Sequence, residues 1–132
     1  MLWEIDIYPA EGQPDLIGEQ AAADVADLGL GGDVAVSAAR GYLIQGSLDR
    51  PAVMRIAGEL LADRVVERTV VAPVGDGALC EAPNGGSGES AGSMVYVLPK
   101  PGVMDPVAQS ALTAISDLGL GAEAVRTLKK YW

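Results

Sequence analysis

Laid over itself at an offset of 90 residues, this chain repeats its own punctuation without a gap. Pro9 falls on Pro99, Gly12 on Gly102, Asp15 on Asp105 and Ala21 on Ala111, and the run Asp27-Leu28-Gly29-Leu30-Gly31 falls on Asp117-Leu118-Gly119-Leu120-Gly121. These nine identities are mainly turn, cap and stop residues. A repeat of that kind marks a recurring supersecondary unit. It confines the chain to folds in which a strand, a tight turn and a capped helix occur twice.

The first copy reads clearly. Residues 2–8 alternate apolar Leu2, Ile5 and Ile7 with polar Glu4 and Asp6, the period of a half-buried strand, and Pro9 ends it. Asp15 caps a helix whose apolar stripe is Leu16, Ile17, Ala21, Val25 and Leu28, with Gly29 as its left-handed stop. This helix is expected to cover one face of a sheet. Residues 33–46 hold the apolar clusters Val34/Val36 and Tyr42/Leu43/Ile44, which reads as a hairpin or bent strand pair turning near Arg40 and Gly41. Asp49 and Pro51 open a second helix along Val53, Ile56, Ala57, Leu60 and Leu61, and the β-branched residues 65–72 form a fourth strand ending at Pro73.

Strand, helix, strand, strand, helix, strand over residues 1–72 is expected to close as an α+β, ferredoxin-like βαββαβ sandwich. Both helices would lie on one face of an antiparallel sheet, leaving the other face for a partner or for self-association. Residues 73–93 are rich in Gly, Pro and Ser and read as a flexible linker. Residues 94–132 then begin a second copy: a strand at 94–98, the cap and first-turn proline Asp105-Pro106, a helix stripe of Val107, Ala111, Leu112, Ile115 and Leu118, and the stop Gly119. The copy is incomplete. A half-unit of this size supports no core alone, so it is expected to dock on the first sheet and the natural chain to continue past Trp132.

Composition narrows the chemistry. With 9 Lys+Arg against 18 Asp+Glu and a net charge of -9, the chain lacks the basic face that nucleic acid or an anionic membrane requires. No apolar run approaches the ~20 residues that cross a bilayer, and residues 1–10 have the wrong charge order for a signal peptide, so the cytoplasm is the expected compartment. There is no His, which removes Ser-His and Cys-His pairs, and a single Cys, Cys80, which excludes internal disulfides and multi-cysteine metal sites. Cys80 sits in the linker as an inert thiol. Residues 86–91 match the glycine pattern of dinucleotide sites but precede a strand instead of following one, so they read as linker. Asp15 and Asp105 read as helix caps, and Gly12 and Gly102 as strand-to-helix turns. No catalytic, cofactor-binding or metal-binding residue stands out.

The charge is uneven. Residues 1–72 hold 5 basic and 12 acidic groups, whereas residues 95–132 hold 4 basic and 3 acidic ones. Lys100, Arg126, Lys129 and Lys130 thus form a local basic group beside Tyr131 and Trp132, either a solvated edge that discourages strand pairing or a docking patch with aromatic anchors.

The stretch Lys100-Pro101-Gly102-Val103-Met104-Asp105-Pro106 after a strand, the helix ending in Leu118-Gly119, and the following Val125-Arg126 and Lys130-Tyr131 resemble the PurS family. The first copy is similar in layout, but its loop, Pro9 to Asp15, lacks the lysine and the Asp-Pro pair. Together the copies look like the N-terminal region of phosphoribosylformylglycinamidine synthase, a purine-biosynthesis ligase. The resemblance implies a module with no catalytic side chain that bridges the synthase and glutaminase parts, with ATP and Mg belonging to the downstream synthase domain. Paired units with glycine after the first strand also resemble amino-acid-sensing ACT domains, which implies the alternative of a small-molecule regulatory module.

Overall fold

A computed structural model describes residues 2–10, 12–29, 36–63, 65–80, 94–100 and 102–131, with the side chain of Cys80 left aside. The elements are β1 (Leu2–Pro9), α1 (Leu16–Asp27), β2 (Ala38–Gly46), α2 (Arg50–Ile56, continued by a π-helical turn, Ala57–Leu61), β3 (Glu67–Pro73), a 3-10 turn (Gly77–Cys80), β4 (Val95–Val97), α3 (Pro106–Asp117) and β5 (Ala122–Tyr131). Five strands form one antiparallel sheet in the order β3-β1-β2-β5-β4. The fold is α+β.

Alternation along β1 sends Trp3, Ile5 and Ile7 to one face of the sheet. They pack with Tyr42 and Ile44 of β2, Val71 of β3, Val53, Ile56 and Ala57 from the α2 region, and Ala111 and Ile115 of α3. The Asp49 carboxylate caps α2 by accepting from Ala52 N at 2.9 Å, and Trp3 Nε1 donates to Leu48 O, so the start of α2 is tied to the first strand. Residues from both ends of the chain share this core.

Three sequence expectations need correction. Among the described residues, the stretch up to residue 72 holds three strands instead of four, because Arg40 and Gly41 lie inside one continuous strand. Arg40 pairs with Ile7 on one side and Lys129 on the other, and a ladder on both sides leaves no freedom to turn. The first limb of the expected hairpin, around Val34, lies outside the described residues. The glycine has another purpose: a Cβ at Gly41 would lie 2.8 Å from Leu128 Cδ1 and 3.0 Å from Ile5 O.

The helix α1 does not cover the sheet. Its stripe stays open, with Leu16 68% and Leu28 73% exposed, and only Gly18 is buried. It is attached at its start, where Asp15 Oδ2 accepts from Ala38 N at 2.9 Å. Finally, the second face of the sheet is not left open over β1. The beginning of the expected linker is ordered: Val74 N donates to Leu2 O, and the turn Gly77–Cys80 brings Leu79 to 2% exposure.

Candidate functional site

The period-two alternation that points Trp3, Ile5 and Ile7 into the core points Glu4 and Asp6 to the other face. Cross-strand register places Gly41 opposite Asp6, and Leu128 opposite Gly41; one step along, Lys130 stands opposite Ala39. Ala39 and Gly41 present nothing larger than a methyl group, so the Lys130 side chain reaches across β2 to β1. Its Nζ lies 3.0 Å from Glu4 Oε1 and 2.5 Å from Asp6 Oδ2, and it also donates to Leu79 O. Tyr96, opposite Lys130 on β4, sets its ring 4.9 Å from the ammonium and donates its hydroxyl to Glu4 Oε1 at 3.1 Å. Lys130 has no exposed surface, and Glu4 and Asp6 are each 2% exposed. Among the described residues, Asp6 Oδ1 has no hydrogen-bond partner.

The electrostatics follow from two acids sharing one base. Burial pushes the Asp6 carboxyl up, the neighbouring Glu4 pushes it further, and Lys130 opposes both, leaving it at about 7. Burial alone would lower Lys130, but its hydrogen bonds and charge contact with Asp6 and Glu4 outweigh that and hold its pKa above the ordinary lysine value. Burial likewise raises Tyr96, against the pull of Lys130.

The turn and cap residues form two similar arrangements. Asp15 Oδ1 accepts from Gly18 N while Oδ2 reaches Ala38 N. Asp105 Oδ1 accepts from Ala108 N at 3.1 Å while Oδ2 takes both the backbone N at 2.9 Å and the hydroxyl at 2.8 Å of Thr127. Each carboxylate thus ties a helix start to the following strand. Burial works against ionisation of Asp105, yet the Thr127 and Ala108 donors prevail and lower its pKa. Gly12 and Gly102 both sit at φ +84°, where a Cβ is strained, and Pro106 occupies the first turn of α3.

The six residues read as one docking patch are divided. Lys130 is inside the sheet cluster. Lys100 and Arg126 border a cleft of about 340 Å³ beside Gly102 and Asp105. Lys129 points to the helix side, where with Tyr42, Val97, Leu98 and Val107 it lines an apolar groove of about 320 Å³. Arg40 at the rim of that groove is held by Glu67 and by Leu61 O. Tyr131 is half-buried, and Trp132 lies outside the described residues.

Glu4, Asp6 and Tyr96 escaped the sequence reading. Acids alternating with apolar residues read as the wet face of a strand. The signal that pointed elsewhere was the pair of small residues, Ala39 and Gly41, on the neighbouring strand, and it is visible only once the register is known.

Among the described residues, no group of three or more His, Cys, Asp or Glu is placed to hold a metal ion, and no helix is long and apolar enough to cross a membrane. No family model matches the chain, and neither does any curated protein or solved structure.

Proposed function

We propose that this chain is a cytoplasmic, non-catalytic assembly module of the kind PurS-like segments provide in phosphoribosylformylglycinamidine synthase, bridging the synthase and glutaminase parts. The observation that carries the reading is the contrast between its two kinds of surface. The buried ionisable groups Glu4, Asp6 and Lys130 are closed off from substrate, while the apolar stripe of α1 (Leu16, Ile17, Leu28) and the edge residues Val95 and Val97 face outwards. Large apolar side chains exposed along one helix and one sheet edge support an interaction role.

The proposal includes a ferredoxin-like unit followed by an incomplete second copy. Its support is local. The two helices have 12 residues each at the offset of 90, their aspartate caps bond alike, and the stop glycines Gly29 and Gly119 sit at φ +73° and +79°. Across the β2–β5 ladder, Ala39 pairs with Lys130 and Arg40 with Lys129. The offset equates Ala39 with Lys129 and Arg40 with Lys130, so equivalent positions are exchanged across the ladder, as a local two-fold axis requires.

The competing reading is an ACT-like sensor, and the cleft bordered by Lys100, Gly102 and Arg126 is where its amino acid would sit. Co-purification of the tagged chain with the synthase and glutaminase parts is the expected result for an assembly module. Failure to retain either, together with a rise in melting temperature on adding an amino acid, would transfer the assignment to the sensor.

A further inference from the structure

The second face of the sheet encloses one ammonium and two carboxylates in a space without solvent access. If Glu4 and Asp6 are both ionised, the group carries a net negative charge. If they share one proton, it is neutral. Burial and the neighbouring Glu4 charge raise the Asp6 carboxyl against the pull of Lys130, so the second negative charge on this site is the costly one. The partners fit this count: Glu4 accepts from both Lys130 and Tyr96, whereas Asp6 keeps one oxygen with no partner among the described residues.

The same ammonium also fastens a piece of chain. Lys130 Nζ donates to Leu79 O, and the turn Gly77–Cys80 lies over the group with Leu79 buried. The strands around the group are held by ladder bonds. The turn's own bonds are local: Leu79 N to Asp76 O and Ala78 N to Asp76 Oδ1. Of the described elements around the group, it has the weakest hold.

We propose that the Glu4–Asp6–Lys130 group is a proton-operated latch, holding the turn Gly77–Cys80 on the sheet while Asp6 is protonated and releasing it when that proton leaves. Departure of the proton leaves two carboxylate charges on one ammonium, with Asp6 Oδ1 unpartnered among the described residues, and water that enters where the turn lifts solvates the excess charge. Lifting frees the Leu79 carbonyl from Lys130 and opens the buried group to water. The Asp6 value of about 7 puts the event near neutrality.

Among the described residues, the other charged and titratable groups on this face are accounted for. From β1, Tyr8 stacks under Arg68 of β3 at 4.6 Å. Tyr96 of β4 has its pKa raised, so it stays protonated near neutrality. Arg126 of β5 follows Glu4 in register, with Leu43 between them, and Asp76 at the foot of the turn is exposed and bonded to Ala78 N.

The test is amide hydrogen exchange across residues 76–80 of the full chain from pH 5.5 to 8.5, corrected for intrinsic rates. Protection of the Leu79 amide is expected to fall as pH rises from 5.5, by up to about tenfold per pH unit, and to level off above about pH 7, where the closed form has itself lost the proton. Amides of α2 and α3 should not follow it. Asp6→Asn, neutral at every pH, is expected to keep the turn closed throughout. Carbon-13 carboxyl shifts of the unaltered chain provide a reading free of mutation, with one carboxyl of the pair expected to titrate near neutrality. Protection that does not vary with pH, an equal fall in Asp6→Asn, or both carboxyls titrating below pH 5 would overturn the latch.

Discussion

Replacing Lys130 with methionine keeps most of the apolar stem and removes the charge. Glu4 and Asp6, each 2% exposed, would then lose their shared cation, and the Leu79 carbonyl would lose its donor. Breaking a buried ion group by removing one partner costs about 3–5 kcal/mol. A chain of 132 residues at about 0.05–0.15 kcal/mol per residue has about 7–20 kcal/mol to lose, so Lys130→Met should fold but be visibly weakened. In urea, with a slope of about 2 kcal/mol per molar, the midpoint at pH 7.5 should fall by about 2 M. Lowering the pH to 5.5 should shrink the deficit, because the abandoned carboxyls can take up protons. The triple variant Glu4→Gln/Asp6→Asn/Lys130→Met should recover most of the loss, since no unpaired charge remains. A Lys130→Met midpoint within about 0.25 M of the parent at pH 7.5 would refute the reasoning, because it would mean that Lys130 is solvated and the cluster does not form.

Gly41→Val places a side chain where Leu128 Cδ1 is 2.8 Å and Ile5 O 3.0 Å from the first added carbon. It should cost about 1–3 kcal/mol as overpacking, read as a lowered melting temperature that Leu128→Ala in the same chain partly restores; an unchanged melting temperature would show that β5 does not lie against Gly41. Asp105→Ala removes acceptors for Ala108 N, Thr127 N and the Thr127 hydroxyl and should cost about 1–2 kcal/mol. Because the folded pKa of Asp105 lies below its ordinary value, its contribution is present above the usual carboxylate range and vanishes as pH falls through the folded value. The gap between Asp105→Ala and the parent should therefore close in acid, and a gap that persists there would contradict the assignment.

The helices could be read from the sequence because their signals are local. Asp15 and Gly29, like Asp105 and Gly119, sit within a turn of the helix ends they define, and a cap or a left-handed stop acts on adjacent backbone. The β2 strand could not be read, because the meaning of Gly41 comes from residue 128. A glycine after an arginine between two apolar clusters has the composition of a turn, and the side chain that demands its absence of Cβ is 87 positions away. The helix α1 shows a third case. Its stripe of Leu16, Ile17 and Leu28 was legible, but periodicity states only that an apolar face exists and is silent on what lies against it.

Lys130 shows what the cluster contributes beyond stability. A buried ion group is weak evidence for added stability, and its better-attested use is to select one arrangement among several. Sliding β5 against β2 by one residue would turn Lys130 to the helix side and bring Lys129 or Tyr131 to the second face. Sliding it by two would keep the face but carry the ammonium about 7 Å along the strand, away from Glu4 and Asp6, leaving both acids buried without a cation. The observed register, with Lys130 opposite Ala39, is the one in which the charge is matched and the small residues Ala39 and Gly41 leave room for the side chain to cross. In a chain with twice as many acids as bases, spending a lysine inside the sheet makes sense as a register key, because it fixes where residues 122–131 dock on β2 and so where the loop carrying Lys100 and Gly102 comes to lie.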